Sequence, residues 1–160
     1  MRIEWWILLS AYVVGIGLLF FIPKNKIRLA VVAFLFKQVI TFLFGLVVVE
    51  LVLIEYPVRL FPSINRTSFT FEYFFFPIVC AIFNVWYPNG RSTLIQWGYY
   101  VVYSSILTIL EVIMEKHTNL IKYVNWEWYY SWITLCLTFY FTRLFCIWFF
   151  KKGRLASMKP

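Results

Sequence analysis

Residues 110–132 read LEVIMEKHTNLIKYVNWEWYYSW and join two long apolar segments of the chain. This stretch contains three of the seven acidic residues, the only histidine and three of the eight tryptophans. Charged side chains beside apolar segments need water, lipid headgroups or a partner, and tryptophan and tyrosine prefer the boundary between hydrocarbon and water. We therefore interpret this stretch, the hinge, as a connection that lies on one face of a membrane.

The composition of the chain is that of an integral membrane protein. Of its 160 residues, 62% are hydrophobic and 14% are charged, whereas soluble domains are about half apolar and about a quarter charged. The net charge of +8 would suggest nucleic acid in a soluble protein. Beside apolar runs of membrane-spanning length it indicates basic loops on the inner membrane face and anionic lipid. We therefore expect membrane lipids as partners, and no nucleic acid.

The apolar runs predict a single all-α domain over residues 1–160, an integral membrane bundle of five transmembrane helices. The spans cover residues 5–22, 29–54, 71–87, 94–114 and 128–150. No small-residue cleavage site precedes Pro23, which favours a retained first helix over a removed signal peptide. Pro77 is expected to kink the third span, and Pro88-Asn89-Gly90 predicts a turn before the fourth.

The basic residues predict that the N-terminus is outside and the C-terminus inside. Basic residues concentrate in the inner loops of membrane proteins, and this orientation gives the inner segments eight bases and the outer segments five. The eight are Lys24, Lys26, Arg28, Arg91, Lys151, Lys152, Arg154 and Lys159, and the five are Arg2, Arg59, Arg66, Lys116 and Lys122. All seven acidic residues then lie at or near the outer side.

A candidate outer polar cluster follows from this arrangement. Carboxylates with an imidazole can bind a divalent cation or transfer protons. Glu111 and Glu115 are four residues apart on one helical face, and adjacent carboxylates resist ionising together. We hypothesise that the cluster binds a cation or a proton; the alternative is a solvated rim, and no motif defines a metal. Its members are Glu111, Glu115, His117, Glu50, Glu72 and Glu127.

Polar residues also follow one face of the fourth helix at spacings of three and four. They form either one wall of a polar pathway or an ordinary helix–helix seam. The seam is favoured because only the outer end is ionisable. The residues are Gln96, Tyr100, Ser104, Thr108, Glu111 and Glu115.

Lys37 and Arg143 form a candidate inner basic pair. Each lies eight or nine residues from the inner end of its span, about 12–14 Å at the helical rise. The favoured interpretation is that both side chains extend to inner-leaflet phosphates. If they face each other inside the bundle, they form an anion or lipid-headgroup site instead.

The three cysteines, Cys80, Cys136 and Cys146, all fall within apolar spans. Their odd number and wide spacing fit neither a disulfide framework nor a metal site. We expect free thiols that pack as small hydrophobic side chains.

The hinge carries a resemblance to a known family. The pattern E-x-x-x-E-x-x-T-N-L-I-K-Y-x-x-W-x-W-Y-Y over residues 111–130, with Arg143 in the next span, resembles a family of small uncharacterised multipass membrane proteins of endospore-forming Bacillus and Clostridium relatives. Glu72, Pro77 and the turn at Pro88 fit the same pattern. The resemblance implies the plasma or spore membrane of a bacterium, and it supplies no activity, ligand or catalytic residue.

Three functions are compatible with the sequence. No nucleophile elbow, Cys/His pair or phosphate-binding glycine loop is present, which favours a non-enzymatic membrane component, alone, as a homo-oligomer or with a membrane protein partner. A small transporter or channel with an outer carboxylate cluster is the first alternative. A membrane enzyme acting on lipid or wall precursors is the second. No catalytic residue and no cofactor is assigned.

Overall fold

The structure, a computed structural model, describes the backbone of residues 3–156 and the side chains of residues 3–151. It is mostly helical, at 74%. Within the described range, a π-helical segment (Phe69–Phe75) continues directly into the third of five α-helices. The helices are α1 Ile3–Leu19, α2 Ile27–Glu50, α3 Phe76–Val85, α4 Thr93–His117 and α5 Trp128–Ala156.

The short helix α3 lies at the centre of the bundle. It packs against α1, α2 and α5, while α4 packs along α5. Every residue of α3 except Phe76 and Ile82 is buried. Ala30 of α2 is buried against Ala81 and Val85 of α3, and Ala33 is also buried. Small side chains such as these allow two helices to approach closely. The core therefore surrounds α3, and the outer helices expose many large apolar side chains.

Three helical segments are long and apolar enough to cross a membrane: Lys24–Glu50, Thr93–His117 and Trp128–Lys151. Ile3–Leu19 and Phe69–Val85 are shorter apolar helices. At 17 residues each, these two are about 26 Å long, slightly less than the ~30 Å hydrocarbon core of a bilayer. The predicted helical class is confirmed, and each helical segment begins within two residues of the predicted start of its span, while α5 continues to Ala156. The basic tail residue Lys159 and the outer base Arg2 lie outside the described residues.

The predicted end of the second span is wrong. The helix α2 ends at Glu50 instead of residue 54, and Val52 has a φ of 55°. The chain then forms a short strand β1 (Ile54–Glu55), which pairs antiparallel with β2 (Lys122–Tyr123) of the hinge. Ile54 belongs to β1 and is buried in a cluster with Val48, Tyr56 and Ile121. The apolar run therefore extends past the end of the helix, and the apolar pattern alone does not reveal where the helix stops.

The hinge is a folded cap over one end of the bundle. Leu120 and Ile121 are buried, and the backbone N–H of Val58 donates to the carbonyl of Asn119 at 3.0 Å. The side chain of Glu4 at the start of α1 accepts hydrogen bonds from the backbone and side-chain N–H groups of Asn119 at 3.3 and 3.2 Å. The hinge therefore connects α1, the strand β1 and the ends of α4 and α5.

Candidate functional site

The predicted outer cluster divides into surface residues and two residues of a shared cavity. Glu50 is exposed and pairs with Arg66 at 3.6 Å. His117 and Glu127 are exposed, and Glu115 is half-buried. Only Glu72 and Glu111 line a common cavity under the hinge.

Glu111 lies on the buried face of α4. Its Oε1 accepts a hydrogen bond from Ser131 Oγ at 2.6 Å and another from the Tyr123 hydroxyl at 2.7 Å. Ser131 in turn accepts from the indole N–H of Trp126 at 2.8 Å. The hinge therefore contributes two aromatic side chains that hold the carboxyl group of Glu111 in one orientation.

Glu72 lies in the π-helical segment, whose position depends on Pro77. Proline has no backbone N–H, so the carbonyl groups four and five residues before Pro77 lack a helical partner. Side chains of α2 fill both positions: Gln38 Nε2 donates to the Tyr73 carbonyl at 2.8 Å, and Thr41 Oγ1 donates to the Glu72 carbonyl at 2.6 Å. Isolated π-helical turns often occur at functional sites, and here the turn directs Glu72 into the cavity.

Gly45 of α2 leaves the space that Glu72 occupies. A Cβ atom at this position would lie 2.7 Å from Thr67 Oγ1 and 3.2 Å from Cδ of Glu72. On its other side, the Glu72 carboxyl group accepts a hydrogen bond from the Tyr56 hydroxyl at 3.1 Å. The carboxyl group is thus held between α2 and the segment that follows β1.

Two tyrosines outside the helices donate to the two carboxyl groups. Burial, and then the negative charge of Glu72, raises the pKa of the Tyr56 phenol well above its ordinary value. Burial, and then the negative charge of Glu111, raises the pKa of Tyr123. Both phenols are therefore protonated at neutral pH and available as hydrogen-bond donors.

Lys37 is fully buried, with no exposed surface. Its Nζ donates to Thr138 Oγ1 and lies 4.5 Å from the centroid of the Phe139 ring. The interpretation that Lys37 extends to lipid phosphates is therefore wrong: its side chain shares the buried face of α2 with Thr41 and Gly45. Lys37 lies within electrostatic range of Glu72.

Arg143 lies in a different environment, at the opposite end of the bundle from the hinge. Its guanidinium donates to the side-chain oxygen of Asn89 and lies 4.3 Å from the Tyr87 ring centroid. Lys37 and Arg143 have separate partners, so the structure does not bring the predicted inner basic pair together around one ligand.

The cavity between α2, the π-helical segment, α4 and α5 has a volume of about 60 Å³. A water molecule needs at least roughly 10–15 Å³ on this measure, so the cavity holds a few waters or one monatomic ion. Besides the two carboxyl groups, several hydroxyl groups and aromatic rings form its wall. The lining residues are Thr41, Phe44, Gly45, Val48, Ile54, Tyr56, Glu72, Phe76, Glu111, Trp126, Ser131, Thr134, Leu135 and Thr138.

Among residues 3–151, no group of three or more His, Cys, Asp or Glu side chains is placed to hold a metal ion. The three cysteines are free, with Cys80 and Cys146 buried. Cations that bind through one or two carboxylates and several neutral oxygens remain compatible with the cavity.

Five residues that line the cavity were not predicted: Thr41, Gly45, Tyr56, Ser131 and Thr138. One signal for the α2 residues was present, because Lys37, Thr41 and Gly45 recur every four residues in a mainly apolar helix and therefore lie on one face. No local pattern connects Tyr56 to Glu72, since that contact depends on how the chain folds back after β1.

No family model, no curated protein and no solved structure matches the chain.

Proposed function

We propose that this chain is a non-enzymatic, multipass integral membrane protein that binds one unit of positive charge, a monovalent cation or a proton, in the cavity beneath the hinge. The observation that carries the proposal is that Glu72 and Glu111 line the same small cavity. Of the alternatives from the sequence, a small transporter or channel agrees best with this arrangement. The only histidine is exposed, which favours ligand binding over catalysis.

The membrane arrangement is part of the proposal. Five helices cross the membrane with the N-terminus outside, in the plasma or spore membrane of a bacterium, as a monomer, a homo-oligomer or with a membrane protein partner. Support comes from the distribution of bases and from the resemblance of the hinge to the bacterial family. A cysteine at the exposed position Ser63 should react with an impermeant reagent from outside, and a cysteine after Lys152 only from inside. Labelling of both from the same side would contradict five spans.

The charges of the buried groups define the ligand. Two carboxyl groups face the cavity, and among the described residues Lys37 is the one cation within electrostatic range of Glu72. Buried charges inside a membrane bundle need partners. We propose that Lys37 is charged and balances one carboxylate, so that the second takes either a proton or a bound monovalent cation.

The size and chemistry of the cavity narrow the choice further. A volume of about 60 Å³ excludes a sugar, a nucleotide or a lipid headgroup, since sites for such molecules measure roughly 300–1,000 Å³. Carboxylate and hydroxyl oxygens are the ligands of hard cations. We therefore propose sodium, potassium or a proton as the occupant, with Glu72, Glu111, Thr41 and Ser131 as the nearest ligands.

Thermal unfolding in detergent tests this proposal. Sodium or potassium chloride, compared with choline chloride at equal ionic strength, should stabilise the wild type by about 2.7 kcal/mol at a hundredfold excess over Kd. Glu72→Gln and Glu111→Gln should abolish that response. Glu50→Gln and Glu127→Gln, which alter exposed carboxylates, should retain it.

A response to pH identifies the proton as the ligand. If salt has no effect but stability changes with pH, and Glu72→Gln or Glu111→Gln removes that change, the site binds a proton. A wild type that responds to neither cations nor pH more than the Glu72→Gln/Glu111→Gln double variant would refute the proposal. In proteoliposomes, a cation or proton flux that both variants abolish would assign transport.

Removing Lys37 tests the count of charges. Lys37→Met leaves two carboxyl groups facing the cavity without a resident cation, so the site should bind calcium or magnesium at least ten times more tightly than the wild type does. The exposed Lys122 provides the control variant, Lys122→Met, which should bind calcium and magnesium no more tightly than the wild type does. Unaltered preference for monovalent ions in Lys37→Met would mean that Lys37 does not contribute to the charge balance.

A further inference from the structure

An apolar groove separates α1 from α2. Neither helix packs mainly on the other, because both pack on α3 and on the π-helical segment. Phe74 and Ile78 form part of the floor of the groove, and Ile22, Val31 and Phe34 part of its walls. Its volume is about 390 Å³, within the range of sites that hold organic ligands.

The length of the groove matches one leaflet of a bilayer. Its lining on α2 runs from Ile27 to Leu35, which is about 12 Å at the helical rise. Half of the hydrocarbon core of a bilayer is about 15 Å. One end therefore lies at the turn between α1 and α2, and the other near the middle of the membrane.

Basic side chains lie at the turn that closes the groove. Lys24 and Arg28 are exposed, and neither forms a salt bridge with any carboxylate of the described residues. Lys26 is used differently: its Nζ donates to the Val85 carbonyl at 2.8 Å and lies 5.6 Å from the Trp86 ring centroid. Lys26 thus attaches the turn to the end of α3 and leaves two cations directed at the surroundings.

We infer that this groove binds an anionic phospholipid, with an acyl chain between α1 and α2 and the phosphate at Lys24 and Arg28. The apolar surface selects a hydrocarbon chain, and the two unpaired cations select a negative headgroup. A second copy of the chain or a partner helix fits less well, since the groove ends within one leaflet. The inference rests on the proposed membrane arrangement but not on the cation site.

Native mass spectrometry of the purified protein, titrated with phosphatidylglycerol or phosphatidylcholine, tests this inference. The wild type should bind phosphatidylglycerol at least ten times more tightly than it binds phosphatidylcholine. Lys24→Gln/Arg28→Gln should lose the preference for the anionic headgroup. Val31→Trp, which fills the groove from an exposed position, should release the lipid although both cations remain; Val31→Phe serves if the tryptophan variant does not fold.

One control variant and one competing ligand distinguish a specific lipid-binding site from a general electrostatic attraction to anionic lipid. Arg91→Gln/Lys151→Gln removes two exposed bases away from the groove and should retain the preference. The inference fails if this control loses as much as Lys24→Gln/Arg28→Gln, if Val31→Trp and Val31→Phe have no effect, or if glycerol phosphate alone competes as well as the whole lipid. A chain that does not insert into nanodiscs would instead contradict the membrane arrangement.

Discussion

The end of the bundle near the Pro88 turn and the end beneath the hinge both concentrate tyrosines, but the hydroxyl groups have different partners. Near the turn, Tyr99 donates to the hydroxyl of Tyr103 at 3.2 Å, and Tyr87 to the side chain of Gln96 at 3.3 Å. Beneath the hinge, Tyr56 and Tyr123 donate to the carboxyl groups of Glu72 and Glu111. The tyrosine hydroxyl groups near the turn therefore donate to neutral groups, whereas those beneath the hinge donate to carboxyl groups.

The packing around these tyrosines differs in the same way. Phe83, which is fully buried, lies at the centre of the aromatic end, with five ring centroids between 4.7 and 5.5 Å from its own. The hinge end instead contains the carboxyl-lined cavity. Polar cavities cost stability because buried groups lose hydration. We therefore expect aromatic packing at one end to stabilise a bundle whose other end contains the proposed ligand site.

The largest expected effect separates the two ends. Phe83→Ala removes a ring from the centre of the aromatic cluster and should reduce the free energy of unfolding by about 3–5 kcal/mol. Its cation response should persist, because Phe83 does not line the cavity. Unfolding in mixed detergent micelles measures the loss. Phe20→Ala, at an 85% exposed position, is the control. Loss of the cation response in a folded Phe83→Ala protein would show that the aromatic end and the cavity are not independent.

The helical part of this architecture was predictable because long apolar runs need no tertiary information. The turn at residues 88–91 is confirmed, with Gly90 at a φ of 77°. The error at the end of α2 and the unpredicted strand pair have one cause: Ile54 pairs with Tyr123, 69 positions further along the chain. Such a contact leaves no signal in either segment alone.

The site was predictable only in part. Glu111 and Glu72 both belonged to the predicted cluster, but proximity in the sequence favoured Glu115 as the partner of Glu111, while the fold places Glu72 at the same cavity. For Lys37, distance along the helix to the membrane boundary was the wrong criterion. The direction of its helical face, marked by Thr41 and Gly45, determines its burial.

Adding one methyl group at Gly45 should produce a smaller but more specific effect. Gly45→Ala places a Cβ against Thr67 Oγ1 and the Glu72 carboxyl group. We therefore expect the free energy of unfolding to fall by about 1–3 kcal/mol and the cation response to be lost. Gly17→Ala and Gly98→Ala meet no atom within 4 Å and should stabilise their helices by about 0.5–1 kcal/mol. Unfolding measurements with and without sodium give both quantities.

A second substitution checks the cause assigned to the Gly45 effect. Thr67 Oγ1 is buried without a hydrogen-bond partner, so its removal costs little by itself. Gly45→Ala/Thr67→Ala should therefore recover part of the lost stability. If the double variant is no more stable than Gly45→Ala, the clash with Thr67 is not the reason for the loss.

The smallest expected effect compares one tyrosine from each end. Tyr123→Phe removes a hydrogen bond to Glu111, and Tyr99→Phe removes one to Tyr103, so each should cost about 0.5–1.5 kcal/mol. Only Tyr123→Phe should also change the apparent cation affinity, by several-fold, because only Tyr123 touches a carboxyl group of the cavity. Equal affinity in the two variants would show that the tyrosines at both ends are structural.

The pH dependence of Tyr123→Phe provides an independent measurement of the same contact. Burial and the charge of Glu111 raise the pKa of Tyr123 in the folded protein, so the neutral phenol favours folding. That stabilisation is complete below the pKa of an unfolded tyrosine, about 10, and decreases as the pH rises above it. Stability between pH 9 and 11 should thus fall more steeply in the wild type than in Tyr123→Phe. Parallel curves would mean that the phenol of Tyr123 is not held against Glu111 in solution.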